Sequence, residues 1–423
     1  MNLFESLAAR EKPVRCAVLG CGKFATMFLS QAARLPGLEV AAVADLSAAR
    51  ARAALAEAGQ PEDVRISEDP YEVLGAPDVE VVVEATGDPL AGTEHALAAI
   101  ERGRHVVMVT VEADVLTGPV LAERARAAGV VYSMAYGDQP ALICELVDWA
   151  RTCGFSVVAA GKGTKYLPEY HRSTPETVWE HYGFTPEYAA GAGLNPRMFN
   201  SFLDGTKSAI EMAAVANATG LRPPAGGLTF PPCGADDLAS VCIPAEHGGA
   251  LDGPGAVEVV SSLHRDGTAV ARDLRWGVYV TLEAPSDYVA GCFAQYGLRT
   301  DHSGRFAAMY RPFHLIGLEL GVSVLSAALR GEATGRPRGF TADVVTVAKR
   351  ALAPGEVLDG EGGYTVYGNV LPAGESVRRG LLPIGLAHGV RLRAGVAAGQ
   401  AIGYSDVTFD TDSTALRLRG ELR

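Results

Sequence analysis

At 423 residues, with 48% hydrophobic and 20% charged side chains, the chain has the make-up of a soluble globular protein with room for two or three cores. Its formal net charge of −12 argues against nucleic acid or an anionic membrane as partner, and no run approaches the ~18 apolar residues of a membrane span. The 7 cysteines are scattered without metal-ligand spacing and read as reduced thiols of a cytoplasmic protein; Cys16 and Cys21 read as small packing residues.

The first residues, Met1-Asn-Leu-Phe-Glu-Ser, lack a signal-peptide pattern and predict a short helix. Val14 to Leu19 is an apolar strand that runs into Gly20-x-Gly22-x-x-Ala25. Gly20 allows a tight turn, Gly22 lets the backbone approach a pyrophosphate, and Ala25 permits close helix–strand packing. The helix over 24–35 then aims its first N–H groups at the anion, which places Lys23 and Phe24 at the same ligand. A second buried strand, 38–44, ends in Asp45, where an acid would hold the adenosine ribose hydroxyls of NAD. Ser47, Arg50 and Arg52 follow closely, and an arginine there would accept the 2′-phosphate of NADP, so both coenzymes stay open.

Further strands are predicted over 79–87, closing on Thr86 and Gly87, and over 105–109 and 130–133, each separated by a helix. This alternation implies a parallel, doubly wound Rossmann sheet. The helix 140–151 closes a dinucleotide-binding domain over residues 1–150.

Residues 151–345 read as an α+β substrate-binding and dimerisation domain. A strand over 155–160 opens it, the Pro- and Gly-rich stretch 223–254 is a long irregular excursion, and 256–262 and 278–283 alternate as strands. The apolar helix 313–330 is expected to pack back on the first domain. Residues 346–423 carry short strands and Gly turns, giving a small all-β unit.

Three segments carry candidate chemistry. Ala160-Gly-Lys-Gly-Thr-Lys-Tyr166 leaves its strand through two glycines, and a loop with Lys162, Thr164, Lys165 and Tyr166 suits a phosphate or a developing oxyanion. The bland alternative is a basic surface turn; His171 and Arg172 lie close after it, and a lone histidine is as often structural as catalytic. Asn195 to Ala214 places Asn200, Asp204 and Lys207 at helical spacing, hence on one face, as a buried Asp–Lys pair or as an ordinary exposed salt bridge. Tyr310-Arg-Pro-Phe-His314 offers Arg311, with His314, at the start of the last apolar helix, as a clamp for phosphate or carboxylate. Glu112, Asp114 and Asp204 are acids able to hold Mg²⁺ or Mn²⁺, although no ligand spacing demands a metal.

Gly20-Cys-Gly22-Lys-Phe-Ala25, Val111-Glu-Ala-Asp-Val115, Tyr136-Gly-Asp-Gln-Pro-Ala141, Gly161-Lys-Gly-Thr-Lys-Tyr166 and Asp204-Gly-Thr-Lys207 together resemble homoserine-dehydrogenase-like oxidoreductases. That group includes the 1-deoxy-D-xylulose 5-phosphate reductoisomerase-like enzymes, and the tail resembles the SAF (β-clip) domain of sialic acid synthases. The resemblance implies a homodimeric NADP(H)- or NAD(H)-dependent enzyme that converts a small phosphorylated keto-sugar, such as 1-deoxy-D-xylulose 5-phosphate to 2-C-methyl-D-erythritol 4-phosphate. Lys207, Asp204, Lys162 and Lys165 would be catalytic, and Thr164, Tyr166, His171, Asn200 and Arg311 would bind substrate. Homoserine dehydrogenases place a lysine soon after the strand that here reads Val106-Val-Met-Val109, but Thr110 to Leu116 contains none. The alternatives are a simple dehydrogenase of a hydroxy or amino acid, and a non-catalytic dinucleotide-binding regulator.

Overall fold

The computed structural model describes residues 2–422. They form two compact units: residues 2–145, 314–339 and 413–422 make the first, and 146–313 with 340–412 make the second.

The first unit is built on six parallel strands: β1 (Val14–Leu19), β2 (Leu38–Ala44), β3 (Arg65–Ser67), β4 (Val81–Glu84), β5 (His105–Met108) and β6 (Tyr132–Met134). Their order, β3-β2-β1-β4-β5-β6, is the Rossmann arrangement. The central strands are apolar on both faces because helices cover both. Ser47 caps the helix Ala48–Glu57 through the Arg50 N–H, and Asp88 caps Pro89–Glu101 through the N–H groups of Leu90 and Ala91. The helix Gly321–Arg330 packs on β1, β4, β5 and the helix Lys23–Ala32; it begins later than the apolar pattern suggests, after a run of turns.

The second unit holds a mixed sheet of β7 (Ser156–Thr164), β8 (Ala256–Ser261), β9 (Val278–Glu283) and β10 (Phe306–Arg311) in the order β10-β9-β7-β8. Only β7 and β8 run parallel. The helix Thr206–Thr219 packs on β7 and β8 with one side and, with another, on the antiparallel pair β11 (Ala342–Ala348) and β13 (Val366–Pro372). Between these lies β12 (Val357–Asp359), which joins β14 (His388–Leu392) and β15 (Val407–Thr408) in a small antiparallel sheet.

Several expectations are corrected here. The stretch 346–423 is not an all-β unit by itself: it contains the helices Ala373–Arg379 and Thr414–Gly420, and its strands share a compact unit with 146–313. The reason is the helix Thr206–Thr219, which is buried almost all round and needs apolar cover on more than one side. The segment Gly161–Thr164 is the second half of β7, not a loop. A Cβ at Gly161 would sit 1.7 Å from the Glu258 carbonyl oxygen and one at Gly163 2.0 Å from that of Leu274. These glycines admit neighbouring backbone, and with the strand paired on both sides they bare no N–H cradle for an anion. Arg311 likewise ends strand β10 and opens no helix.

Candidate active site

In the first unit, β1 turns at Gly20 (φ +88°), where a Cβ would meet the Ala85 carbonyl oxygen at 2.6 Å. Gly22 caps the helix Lys23–Ala32, and a Cβ there would meet nothing within 4 Å, so this helix end has open space for a pyrophosphate. Lys23 is exposed, Phe24 half-buried and Ala25 buried. Asp45 Oδ2 accepts from the Cys21 N–H at 2.8 Å, and Oδ1 accepts from Ser47 N–H at 2.9 Å and pairs with the Arg50 guanidinium at 2.5 Å. Burial alone would raise the Asp45 carboxyl, but Arg50 and the two N–H groups outweigh it and hold it below the usual range. After β4, exposed Thr86 donates to buried Glu84 at 2.5 Å, and the Gly87 N–H donates to Thr110 Oγ1 at 3.0 Å. These residues fit a nicotinamide dinucleotide: a bare helix terminus for the phosphates, a carboxylate and a guanidinium for the ribose edge.

In the second unit, Tyr166, His171, Asn200 and Asp204 belong to one network. The helix Pro196–Leu203 stops at Asp204, Gly205 (φ +89°) turns the chain, and a new helix starts at Thr206. The expected Asp204–Lys207 pair on one helix face is therefore corrected: Asp204 ends one helix and half-buried Lys207 begins the next. The carboxylate of Asp204, fully buried, pairs instead with Lys349 at 2.7 Å and accepts from the Thr206 N–H at 2.9 Å. Lys349 also donates to the carbonyls of Ser173 and Gly363, each at 2.8 Å, and Asn200 Nδ2 donates to the carbonyls of Ser173 at 3.2 Å and Gly362 at 3.0 Å.

His171 Nδ1 lies 2.7 Å from the Asp204 backbone oxygen, which can only accept, so this nitrogen carries the proton. Nε2 is then the acceptor for the Tyr166 hydroxyl at 3.0 Å. Burial lowers the His171 pKa and keeps the ring neutral, and burial pushes the Tyr166 phenol up to about 12. The rings of Tyr367 and Phe230 complete the setting: Tyr367 stacks on His171 at 4.5 Å, and Phe230 stacks on Tyr166 at 3.9 Å.

Other expected residues have different employment. Lys162 forms a buried ion pair with Glu211 of the helix Thr206–Thr219. Lys165 donates to the His181 carbonyl and lies over the Tyr182 ring, and burial followed by the charge of Arg275 lowers its pKa. Thr164 is half-buried at the end of β7, and the Arg311 guanidinium stacks on Phe313. Lys349, Ser173, Phe230 and Tyr367 went unmarked in the sequence. Lys349 offered a weak signal, since a lysine directly after the wholly buried and mostly apolar strand β11 has to find a partner. Among the described residues no group of three or more His, Cys, Asp or Glu is arranged to hold a metal, and no helix is long and apolar enough to cross a membrane.

The Rossmann sheet with its open helix terminus, taken with the family matches, marks an NAD(P)-dependent oxidoreductase. Residues 14–135 match the oxidoreductase family with NAD-binding Rossmann fold (GFO/IDH/MocA), and residues 137–320 match the catalytic domain of oxidoreductase DRL. The chain is thus similar over 14–135 to one family's NAD-binding Rossmann domain and over 137–320 to the DRL catalytic domain. A search of curated proteins finds no match. Among solved structures, a 3-ketoreductase from Actinomadura kijaniata in complex with TDP-benzene and NADP is 20% identical, with a TM-score of 0.28 over 37% of this chain and 49% of that one. An NAD-binding oxidoreductase from Klebsiella pneumoniae is 21% identical (TM-score 0.31, 38% of this chain and 45% of that one). Apo scyllo-inositol dehydrogenase from Lactobacillus casei is 15% identical (TM-score 0.28, 37% and 47%). The chain spans about half the length of these structures. The matches lend no support to a homoserine dehydrogenase, a SAF domain or a reductoisomerase.

Proposed function

We propose that the enzyme interconverts a carbonyl and a hydroxyl on a small phosphorylated keto-sugar or polyol, with Tyr166 as the proton-transferring group. The observation that carries this is the half-buried hydrogen-bonded chain from Tyr166 O–H to His171 Nε2, with His171 Nδ1–H held by the Asp204 carbonyl. The coenzyme supplies or removes hydride; Gly20, Gly22, Lys23, Phe24, Ala25, Asp45, Arg50, Thr86 and Gly87 would hold it. In the oxidative direction the substrate hydroxyl gives its proton to the Tyr166 oxygen while the Tyr166 proton passes to His171 Nε2, and reduction runs the same transfers backwards. Lys207 stabilises the negative oxygen, and Asn200 with the Asp204–Lys349 pair fixes the backbone around His171. Thr164 and Arg311 are the candidates for the substrate phosphate, whereas Lys162, buried against Glu211, and Lys165, held by the His181 carbonyl, support the fold around the site. Operation as a cytoplasmic homodimer belongs to the same reading.

The test is a screen of keto-sugar and polyol phosphates read by the absorbance of reduced nicotinamide. Against the best substrate, Tyr166→Phe and Lys207→Met are each expected to cut kcat by about a hundred- to ten-thousand-fold with coenzyme affinity nearly intact. Unchanged turnover in both removes them from the chemistry. Carbon connectivity of the product decides the narrower reading, rearrangement of 1-deoxy-D-xylulose 5-phosphate, against simple reduction of a sugar, hydroxy acid or amino acid derivative. Coenzyme binding without turnover on any substrate would favour a regulatory protein.

A further inference from the structure

Phe230 is one of two non-glycine residues with positive φ among those described (φ +50°), a backbone that costs free energy unless the surroundings enforce it. The enforcement is visible on both sides of the turn. Glu258, on β8 and 1% exposed, accepts from the Thr229 N–H at 3.1 Å, the Thr229 hydroxyl at 2.7 Å, the Phe230 N–H at 3.3 Å and the Val259 N–H at 2.9 Å. Arg265 donates to the opposite groups, the carbonyls of Thr229 at 2.8 Å and Phe230 at 2.9 Å. Every backbone hydrogen-bonding group of Thr229 and Phe230 is thus held by a charged side chain. The consequence lies at the ring: Phe230 is 2% exposed and lies flat on Tyr166, with the planes 14° apart. Its tip also faces Gly205, where a Cβ would come within 3.4 Å of Phe230 Cζ.

We infer that Glu258 and Arg265 are positioning residues that clamp the Thr229–Phe230 turn in its left-handed conformation, so that the Phe230 ring fixes the Tyr166 phenol on His171 Nε2. Glycine would take this backbone without strain, so a phenylalanine here is explained by the ring it delivers. Burial raises the Glu258 carboxyl on balance, while the donors from Thr229, Val259 and Phe230 act in the opposite direction. The inference rests on the reading that Tyr166 and His171 act in the reaction.

The experiment compares Phe230→Gly, Phe230→Tyr and Glu258→Gln in the full chain, with two readouts. The first is the ¹⁵N spectrum of the histidine rings, with His171 assigned by its loss in His171→Gln. Wild type should show the Nδ1–H tautomer with Nε2 hydrogen-bonded; Phe230→Gly and Glu258→Gln should shift that Nε2 resonance, and Phe230→Tyr should restore it. The second is kinetic: Phe230→Gly should lose about a hundredfold in kcat with an unchanged KM for coenzyme, because a small misplacement of the proton donor slows the reaction without touching the dinucleotide. If Glu258→Gln fails to fold, Phe230→Gly still decides, since glycine relieves the strain. A wild-type His171 spectrum in Phe230→Gly overturns the clamp. A shifted spectrum in a protein that turns over no substrate upholds the clamp and sinks the catalytic reading instead.

Discussion

Asp45 and Arg50 hold the coenzyme choice in one ion pair. The carboxylate favours two free ribose hydroxyls and repels a 2′-phosphate, while the guanidinium bound to it would welcome that phosphate. With the carboxylate removed, Arg50 is released to the ligand. Asp45→Ala is therefore expected to move the ratio of kcat/KM for NADPH over NADH upward by about ten- to a hundredfold, the worth of one charge-assisted hydrogen bond. An unchanged ratio would mean that the ribose is read by other residues. Asp114 sets a different problem. It is 1% exposed, accepts from the Tyr132 hydroxyl at 3.0 Å on Oδ1, and has no hydrogen-bond partner on Oδ2. Burial raises it to about 7, and the Tyr132 bond lowers it only in part. The folded chain therefore holds a proton that the unfolded chain, titrating near the ordinary ~3.9, releases. Stability should fall as pH rises from about 4 to about 7 and level off above, by at most about 4 kcal/mol. In Asp114→Asn this loss disappears, so urea unfolding at pH 5 and pH 8 should show the variant gaining on wild type only at the higher value. Parallel curves for both proteins would refute the protonated state.

At the scale of elements, the Rossmann half was legible because its signals are local. Apolar runs such as Val81-Val-Val-Glu84 are followed by punctuating glycines, and helix starts such as those at Ser47 and Asp88 carry their own caps. The second unit hid its logic in distant pairings. The glycines at 161 and 163 look like a loop in one dimension; only the backbones of Glu258 and Leu274, a hundred or so residues downstream, show that they belong to a crowded central strand. Spacing alone suggested that Asp204 and Lys207 share a helix, but Gly205 in a left-handed turn separates them, and the partner Lys349 comes from the far end of the chain. Tyr166, His171, Asn200 and Asp204 were marked by residue type and proximity in sequence, whereas Phe230, Glu258 and Tyr367 are ordinary residue types whose role appears only in three dimensions.

For the whole molecule, the large negative charge gives an anionic coenzyme no help at long range, so its binding depends on local groups of the first unit. That unit is assembled from three separate stretches, and the last is small but anchored by buried Ala415, Leu418 and Arg419. The helix Thr414–Gly420 packs on Pro89–Glu101 and Val111–Ala127, with Leu418 in the core that holds Ala96, Val120 and Leu121, and buried Arg419 donating to the Leu116 carbonyl at 3.3 Å. Removing the Leu418 side chain leaves a cavity under these two helices, and its cost should be about 2–5 kcal/mol. Coenzyme stabilises the unit that binds it by mass action, so calorimetry can label that unit's transition as the one that NADH or NADPH shifts upward. Leu418→Ala is expected to lower this same transition, and saturating coenzyme to recover part of the loss. If the variant leaves the coenzyme-sensitive transition where it was, the C-terminal helix is not part of the dinucleotide-binding core, and the apolar cover over Val120 and Leu121 has to come from elsewhere.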